Sequence, residues 1–284
     1  MRQLFKTYLR YLPDKLYIQL LFFKHFHRFV NFKHPVSFNE KLQWLKINDR
    51  NPLYTTLVDK IKVKDYLREV LGEDYSIPTL AVWNSPEEID FDSLPNQFVI
   101  KWNHDSGSIV ICKDKKTFDK TKAVKKLQHG AKYNGFWYGR EWPYKNVIPK
   151  LIAEGFLDGG DDLIDYKLMC FNGKVKCVFT CTQRFSDNGL HVTFYDLDWK
   201  MLPFTRNHPR DEKPIPKPQT LPKMIRIAEI LTRELLFARI DFYEVEGKLY
   251  FGEITLYPGS GLEPFDPTKW DREFGDWIKL PTDR

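Results

Sequence analysis

Ala238-Arg239-Ile240-Asp241-Phe242-Tyr243-Glu244-Val245, then Glu246-Gly247, then Lys248-Leu249-Tyr250-Phe251-Gly252-Glu253-Ile254-Thr255 is the stretch on which the reading turns. Two runs rich in aromatic and β-branched residues flank a two-residue turn ending in glycine, which predicts an antiparallel hairpin. Side chains alternate across a strand, so Arg239 and Asp241 share one face, and Glu253 and Thr255 share one face of the partner strand. If the two faces coincide, two carboxylates converge on apolar strands, where they repel unless a cation or an arginine stands between them. Paired hard oxygen ligands beside a polyphosphate describe a Mg²⁺ site. Pro258-Gly259-Ser260-Gly261 follows as a flexible loop.

Upstream of the hairpin, Leu221–Leu235 predicts a helix, and residues 206–219, with Pro209, Pro214, Pro216 and Pro218, an extended connector. Before it come strands at Asp165–Phe171, Lys174–Thr182 and His191–Tyr195, the first two joined by Asn172-Gly173, a strong hairpin signal. Asp165 and Lys167 fall on one strand face, as a cross-strand salt bridge would also require. Leu151-Ile152-Ala153-Glu154-Gly155-Phe156-Leu157 is an apolar strand running into a connector. Phe98–Trp102 and Ile109–Cys112 form another hairpin, whose tip, Asn103-His104-Asp105-Ser106-Gly107-Ser108, is polar and small. Such a loop leaves backbone N–H groups free to approach phosphate, and Lys101 beside it supplies positive charge. Taken singly, each of these has an ordinary structural reading as well.

Further upstream, Thr56–Leu71 predicts one helix stopped by Gly72, Ile77–Trp83 a strand, and Pro86–Ile89 a short helix capped by Ser85. Ser37 with Glu40 three residues on has capping-box spacing. A lysine-rich helix is expected over residues 117–132, and an irregular aromatic segment over 133–145. Strands and helices mixed with many hairpins indicate an α+β architecture.

The 284 residues are 42% hydrophobic and 29% charged, enough for a sizeable core. The net charge of +6 is uneven: residues 1–50 hold ten basic against three acidic residues, whereas the other 234 hold 34 against 35. That basic segment is rich in Leu, Phe and Tyr at helical spacing. It reads either as a helix packed on the body with its lysines in water, or as one lying on an anionic membrane surface. No motif that reads nucleic acid accompanies the charge, so no nucleic-acid partner is expected. No apolar run reaches the length of a membrane span, and no secretory signal is evident. With only Cys112, Cys170, Cys177 and Cys181, a cytosolic, reduced protein is expected. Cys177 and Cys181 lie about 13 Å apart along a strand, too far for one zinc, and read as buried thiols.

The order of these pieces is Asp59-Lys60 opening a helix, Lys101 with its Ser-Gly-Ser loop, Glu154-Gly-Phe-Leu, Asp165-Tyr166-Lys167, Arg239-Ile240-Asp241 and Gly252-Glu253-Ile254-Thr255. It resembles the ATP-grasp superfamily, and within it the TupA-like branch found among bacterial surface-polysaccharide genes. Phe38-Asn39-Glu40-Lys41, Asp165-Tyr166-Lys167 and Phe251 to Pro258 match that branch, and the resemblance covers roughly residues 37–281. It implies an ATP-grasp fold, two α+β subdomains clasping ATP, with a helical N-terminal extension. The corresponding division is 1–50 as the extension, 51–97 as an N-terminal α/β subdomain, 98–157 as the lid with the phosphate loop, and 158–284 as the C-terminal subdomain with the metal site.

Carried over residue by residue, the resemblance implies that Lys101 contacts the α- and β-phosphates and that Ser106, Gly107 and Ser108 close over the triphosphate. Glu154, Gly155, Phe156 and Leu157 would hold the adenine, and Asp162 or Asp161 the ribose. Lys167 would face phosphate or acceptor, and Arg239 would stabilise the phosphorylated intermediate. Asp241 and Glu253 would bind Mg²⁺; Thr255 stands where many ATP-grasp enzymes have asparagine and is a weaker ligand. The implied activity is carboxylate–amine ligation through an acyl-phosphate, joining a carboxylate-bearing glycan or sugar acid to an amine or amino acid. The expected location is the cytoplasm, with the inner membrane face as the alternative. Two other readings stay open: a glycosyltransferase using Asp161-Asp162 or Asp196-Leu197-Asp198 as a metal site for a nucleotide sugar, and a nucleotide-binding module without turnover.

Overall fold

The computed structural model describes residues 11–105, 107–131, 134–159, 163–183 and 189–281. Two antiparallel sheets organise it. The smaller has the order β1-β4-β2-β3, from Thr79–Trp83 (β1), Phe98–Trp102 (β2), Val110–Cys112 (β3) and Leu151–Gly155 (β4). The larger has the order β10-β9-β5-β6-β7, from Asp165–Phe171 (β5), Lys174–Thr182 (β6), His191–Tyr195 (β7), Phe237–Val245 (β9) and Lys248–Thr255 (β10). Thr205–Arg206 (β8) and Phe265–Asp266 (β11) form a two-stranded ribbon. The Asn172-Gly173 and Glu246-Gly247 turns both have positive φ at both residues, the twist that a two-residue hairpin requires.

The helices are Asp14–Phe26 (α1), Phe38–Asn48 (α2), Leu53–Val58 (α3), Lys62–Leu71 (α4), Lys120–Gly130 (α5), Gly135–Gly139 (α6), Leu221–Thr232 (α7) and Lys269–Trp277 (α8). Helix α5 covers the smaller sheet, with Leu127 packed among Phe98, Ile100, Trp102 and Leu151. Helix α7 packs on β5, β6 and β9, while α2 and α8 pack on each other. Phe38 is central here, its ring 5.1 Å from Phe237 and 5.8 Å from Phe274.

The Phe-Asn-Glu-Lys motif proves to be a packing device. Ser37 Oγ accepts from the Glu40 N–H, and the Glu40 carboxylate accepts from the Ser37 N–H, the reciprocal capping box. Asn39 donates to Asp271 Oδ1 and to the Glu263 carbonyl, both at 3.0 Å, and Lys41 donates to the Ile278 carbonyl at 2.8 Å. The motif thus fastens the start of α2 to the C-terminal helix.

Several local expectations need correction. The single helix expected over Thr56–Leu71 is two, because the Asp59 carboxylate turns back to accept from the Ile61 and Lys62 N–H groups at 2.9 and 3.3 Å. The aromatic segment after residue 133 is not irregular: α6 is capped by the Asn134 side chain, and a 3-10 turn follows at Trp142–Asn146. Ser85 makes no side-chain cap for the turn at Pro86–Glu88; Glu88 accepts from the Asn84 N–H instead. Strand β1 starts at Thr79, since the Ile77 and Pro78 carbonyls accept from Lys64 and Gly155.

Helix α8 meets the start of α2 at Gly275, where a Cβ would lie 2.1 Å from the Val36 carbonyl oxygen and 2.8 Å from the Phe38 nitrogen. Both are backbone atoms and cannot turn aside. We expect Gly275→Ala to destabilise the fold by about 3 kcal/mol, at the upper end of overpacking costs. That corresponds to a fall in melting temperature of roughly 6–12 °C. Calorimetry checks it, and an unchanged melting temperature would contradict this packing.

Candidate functional site

The last hairpin meets the condition that the sequence left open, through an irregularity. Phe251 pairs with Phe242, but Ile254 pairs with Ile240, so Gly252 and Glu253 together oppose Asp241. Such a bulge shifts the alternation by one residue. In an unbroken register Glu253 would sit opposite Ile240, on the opposite face from Asp241. With the bulge, Thr255 pairs with Arg239, and Arg239, Asp241, Glu253 and Thr255 share one face. Glycine fits at 252 because a Cβ there would sit 3.2 Å from the Asp241 carbonyl oxygen and 3.3 Å from its Cβ.

Strand β5 adds Lys167 directly opposite Asp241, and Asp165 two residues before it. The result is a compact ionic cluster. Arg239 donates from Nε to Asp241 Oδ1 at 2.6 Å and from Nη2 to Asp241 Oδ2 at 2.7 Å. The same Nη2 donates to Glu253 Oε1 at 2.9 Å. Lys167 Nζ donates to Asp241 Oδ2 and lies 3.6 Å from Asp165 Oδ2. The Thr255 hydroxyl donates to Glu253 Oε1 at 3.3 Å.

The smaller sheet brings a second cluster. Lys101 on β2 and Glu154 on β4 project from one face, because Val99 pairs with Glu154. Glu154 is buried and takes Lys101 Nζ at 2.5 Å and Lys64 Nζ at 2.6 Å. Burial alone would raise its pKa, but the charges of Lys101 and Lys64 outweigh that and lower it. Gly155, Phe156 and Leu157 follow it out of the sheet, half-buried. Gly107 is exposed at the tip of the β2–β3 loop, whereas the Ser108 side chain lies against Gly130 of α5. Ser106, Asp161 and Asp162 lie outside the described residues.

Lys60, in the turn between α3 and α4, joins the two clusters. Its Nζ donates to the Asp105 carbonyl at 2.8 Å and lies 3.4 Å from Glu253 Oε2. The turn is locked to the smaller sheet by Asn103, which donates to Asp59 Oδ1 at 3.0 Å and accepts from the Lys60 N–H at 3.1 Å. Burial would raise the pKa of Glu253, but Lys60, Arg239, Lys167 and Lys101 together hold it well below the ordinary carboxylate range. Groups from both sheets thus act on one carboxylate. Lys60 and Lys64 are the participants to which the sequence reading assigned no role. The only signal for Lys60 was its neighbour Asp59, and Lys64 carries no signal at all.

The donor set fits a hard divalent cation. Asp241 Oδ2 and Glu253 Oε1 both accept from Arg239 Nη2, at 2.7 and 2.9 Å, so two hard carboxylate oxygens turn toward one point that a guanidinium nitrogen fills here. Among the described residues no group of three or more His, Cys, Asp or Glu is set to hold a metal, so an ion at this face would take two carboxylates from these residues and its other donors from a ligand and water. That division suits Mg²⁺ on a polyphosphate. Asp196 is spent on its own turn, its Oδ1 accepting from the Lys200 N–H at 2.9 Å. The four cysteines are buried thiols.

The model of the family described as "TupA-like ATPgrasp" matches residues 40–279. No protein of curated function matches the chain. Among solved structures, D-alanine–D-alanine ligase from Bacillus anthracis complexed with ATP is 16% identical, with a TM-score of 0.44 over 78% of this chain and 63% of that one. D-Ala–D-Ala ligase from Helicobacter pylori is 15% identical, with a TM-score of 0.47 over 87% and 68%. L-amino acid ligase from Bacillus licheniformis is 13% identical, with a TM-score of 0.45 over 88% and 57%. The chain therefore spans roughly two thirds of the length of these solved ligases or less.

The lowered pKa of Glu154 fixes the sign of a pH effect. Its contribution to stability is complete above its ordinary value of 4.5 and is lost as pH falls through the folded value. Glu154→Gln removes that loss, and it leaves Lys64 and Lys101 without their buried partner, at a cost of about 3 kcal/mol near neutrality. We expect urea unfolding across the acid range to show a variant that is weaker at pH 7 and less pH-dependent below 5. Parallel wild-type and variant curves would contradict the charge assignment.

Proposed function

We propose that this chain, which belongs to the TupA-like ATP-grasp family, is an ATP- and Mg²⁺-dependent carboxylate–amine ligase. The observation that carries the reading is the convergence of Arg239, Asp241, Glu253 and Lys167 on one sheet face, with Lys60 of the α3–α4 turn 3.4 Å from Glu253 and the charge of Lys101, on the smaller sheet, also acting on that carboxylate. Five cations (Lys60, Lys64, Lys101, Lys167 and Arg239) stand against four carboxylates (Glu154, Asp165, Asp241 and Glu253). A nearly balanced site of this kind takes up a polyphosphate together with its divalent ion at small net cost in buried charge.

In this reading Lys101 and Lys60 neutralise the phosphate chain, and the loop at 105–108 covers it. Glu154 fixes Lys101 from behind, while Glu154 to Leu157 border the base. Asp241 and Glu253 would hold Mg²⁺, which when bound offsets charge on the phosphates. A substrate carboxylate oxygen attacks the γ-phosphorus, and the bond from that phosphorus to the bridging oxygen of ADP breaks. Arg239 and Lys167, fixed by Asp241, stabilise the negative charge that develops on the transferred phosphoryl group. An amine then attacks the acyl carbon of the acyl-phosphate, loses a proton, and expels inorganic phosphate to leave an amide. The protein's share is positioning and charge neutralisation. The substrates we propose are a carboxylate-bearing component of a bacterial surface polysaccharide and an amino acid or other amine.

Titration calorimetry should show Mg·ATP binding to the purified chain, weakened tenfold or more in Lys101→Ala, where a charge-assisted phosphate contact is lost. Glu253→Gln takes an ionised partner from Arg239 and Lys60 and should lower the melting temperature; assayed well below that temperature, it should reduce ADP release in the presence of sugar-acid and amino-acid mixtures by roughly 100-fold. A chain that binds UDP-sugars but not Mg·ATP would overturn the ligase and favour a glycosyltransferase. Mg·ATP binding with no turnover on any carboxylate–amine pair would favour a non-catalytic module.

A further inference from the structure

Helix α1 is apolar on both of its sides. Ile18 and Phe22 are buried with Val30, against Phe26, Phe32, Ile47 and Leu262. On the far side Leu16, Leu20 and Phe23 follow at i, i+4 and i+7, so they form one stripe. They are 47, 45 and 44% exposed. Phe29, 58% exposed, stacks on Phe23 with ring centroids 4.9 Å apart, and Tyr11 just before the helix is 84% exposed. A helix with apolar residues round its whole circumference is ordinarily buried; here half of it faces outward.

The helix is firmly attached through its inner side. The Tyr17 hydroxyl donates to the Trp137 and Tyr138 carbonyls at 3.3 and 3.1 Å. The Gln19 amide exchanges two hydrogen bonds with the backbone of Val30 at 2.9 and 2.7 Å. The Asp14 carboxylate lies 3.3 Å from Arg140 Nε and 3.6 Å from Arg50 Nη2. The outer stripe is therefore presented by an anchored helix.

Charge identifies the occupant. Residues 11–40 contain Lys15, Lys24, Arg28 and Lys33, all exposed, and two acidic residues that are already paired, Asp14 with Arg140 and Arg50 and Glu40 with Arg28, so the three lysines carry the excess charge. An aromatic and aliphatic stripe rimmed by basic side chains matches the interface of a bilayer that carries anionic headgroups. A second copy of the chain would set the same basic rim against itself, and like charges across an interface are costly. No helix among the described residues is long and apolar enough to cross a membrane, so any attachment through α1 is peripheral.

We propose that the outer face of α1, with Phe29, is a docking surface for an anionic phospholipid bilayer. The test uses the full chain and vesicles of phosphatidylcholine alone or of phosphatidylcholine with an equal part of phosphatidylglycerol. The expected result is co-sedimentation with the anionic vesicles only, weakening as salt rises. Leu20→Ser combined with Phe23→Ser should lower the partition coefficient about tenfold or more, and Lys24→Glu with Lys33→Glu similarly at low salt. Lys24 and Lys33 are exposed and Leu20 and Phe23 nearly half exposed, so both double variants should remain folded at the assay temperature, which circular dichroism checks. Failure to bind anionic vesicles at low salt, or undiminished binding by both variants, would overturn the proposal. So would a concentration-dependent dimer that Phe23→Ser abolishes, with no vesicle binding, since the stripe would then be an interface between copies.

Discussion

Gly252 and Glu253 share a single partner, Asp241, and this two-against-one pairing turns the Glu253 carboxylate onto the face that already carries Arg239 and Asp241. Two carboxylates placed so close on a sheet would raise each other's pKa and push the strands apart. Arg239 prevents that by donating to both of them, and Lys167 holds Asp241 from the neighbouring strand. The ionic network is therefore part of what lets the hairpin keep its bulge, as well as the origin of the proposed chemistry. Its cations are fixed by backbone register rather than by loops, the arrangement that a preorganised phosphate site needs.

The smaller sheet contributes through electrostatics. Lys101 is tied to buried Glu154, which also takes Lys64 from α4, so one carboxylate orients two lysines from separate elements. Lys60 then spans from the Asp105 carbonyl to Glu253. Asn103 and Asp59 set the position of that turn through buried hydrogen bonds, and thereby decide where the charge of Lys60 stands. Removing one of them moves a cation as well as a contact.

Much of the sheet framework was legible in the sequence. Alternation and two-residue turns gave β5, β6, β9 and β10 nearly to the residue, because hairpins are local and their turns carry a chemical signature. What alternation could not yield was the bulge: a single extra residue leaves the periodicity of each strand intact and appears only in the pairing between them. The break at Asp59–Ile61 escaped for a related reason, since the helical spacing of apolar residues continues on either side of it while a carboxylate caps the second half. Lys64 was invisible as a site residue because a lysine on a helix is indistinguishable in sequence from one in water, and Lys60 entered the family pattern beside Asp59 without a role of its own. The Phe-Asn-Glu-Lys motif ran the other way, helping to point to the family while serving in the fold as a clamp between α2 and α8.

In the ligase we propose, both sheets face one magnesium-bearing triphosphate. A crystal structure of the chain with Mg²⁺ and a non-hydrolysable ATP analogue tests it most directly. The triphosphate should lie between the sheets, with Lys101 and Lys60 on its oxygens and the metal between Asp241 and Glu253. A nucleotide bound away from this cleft, or a metal held by other residues, would contradict it.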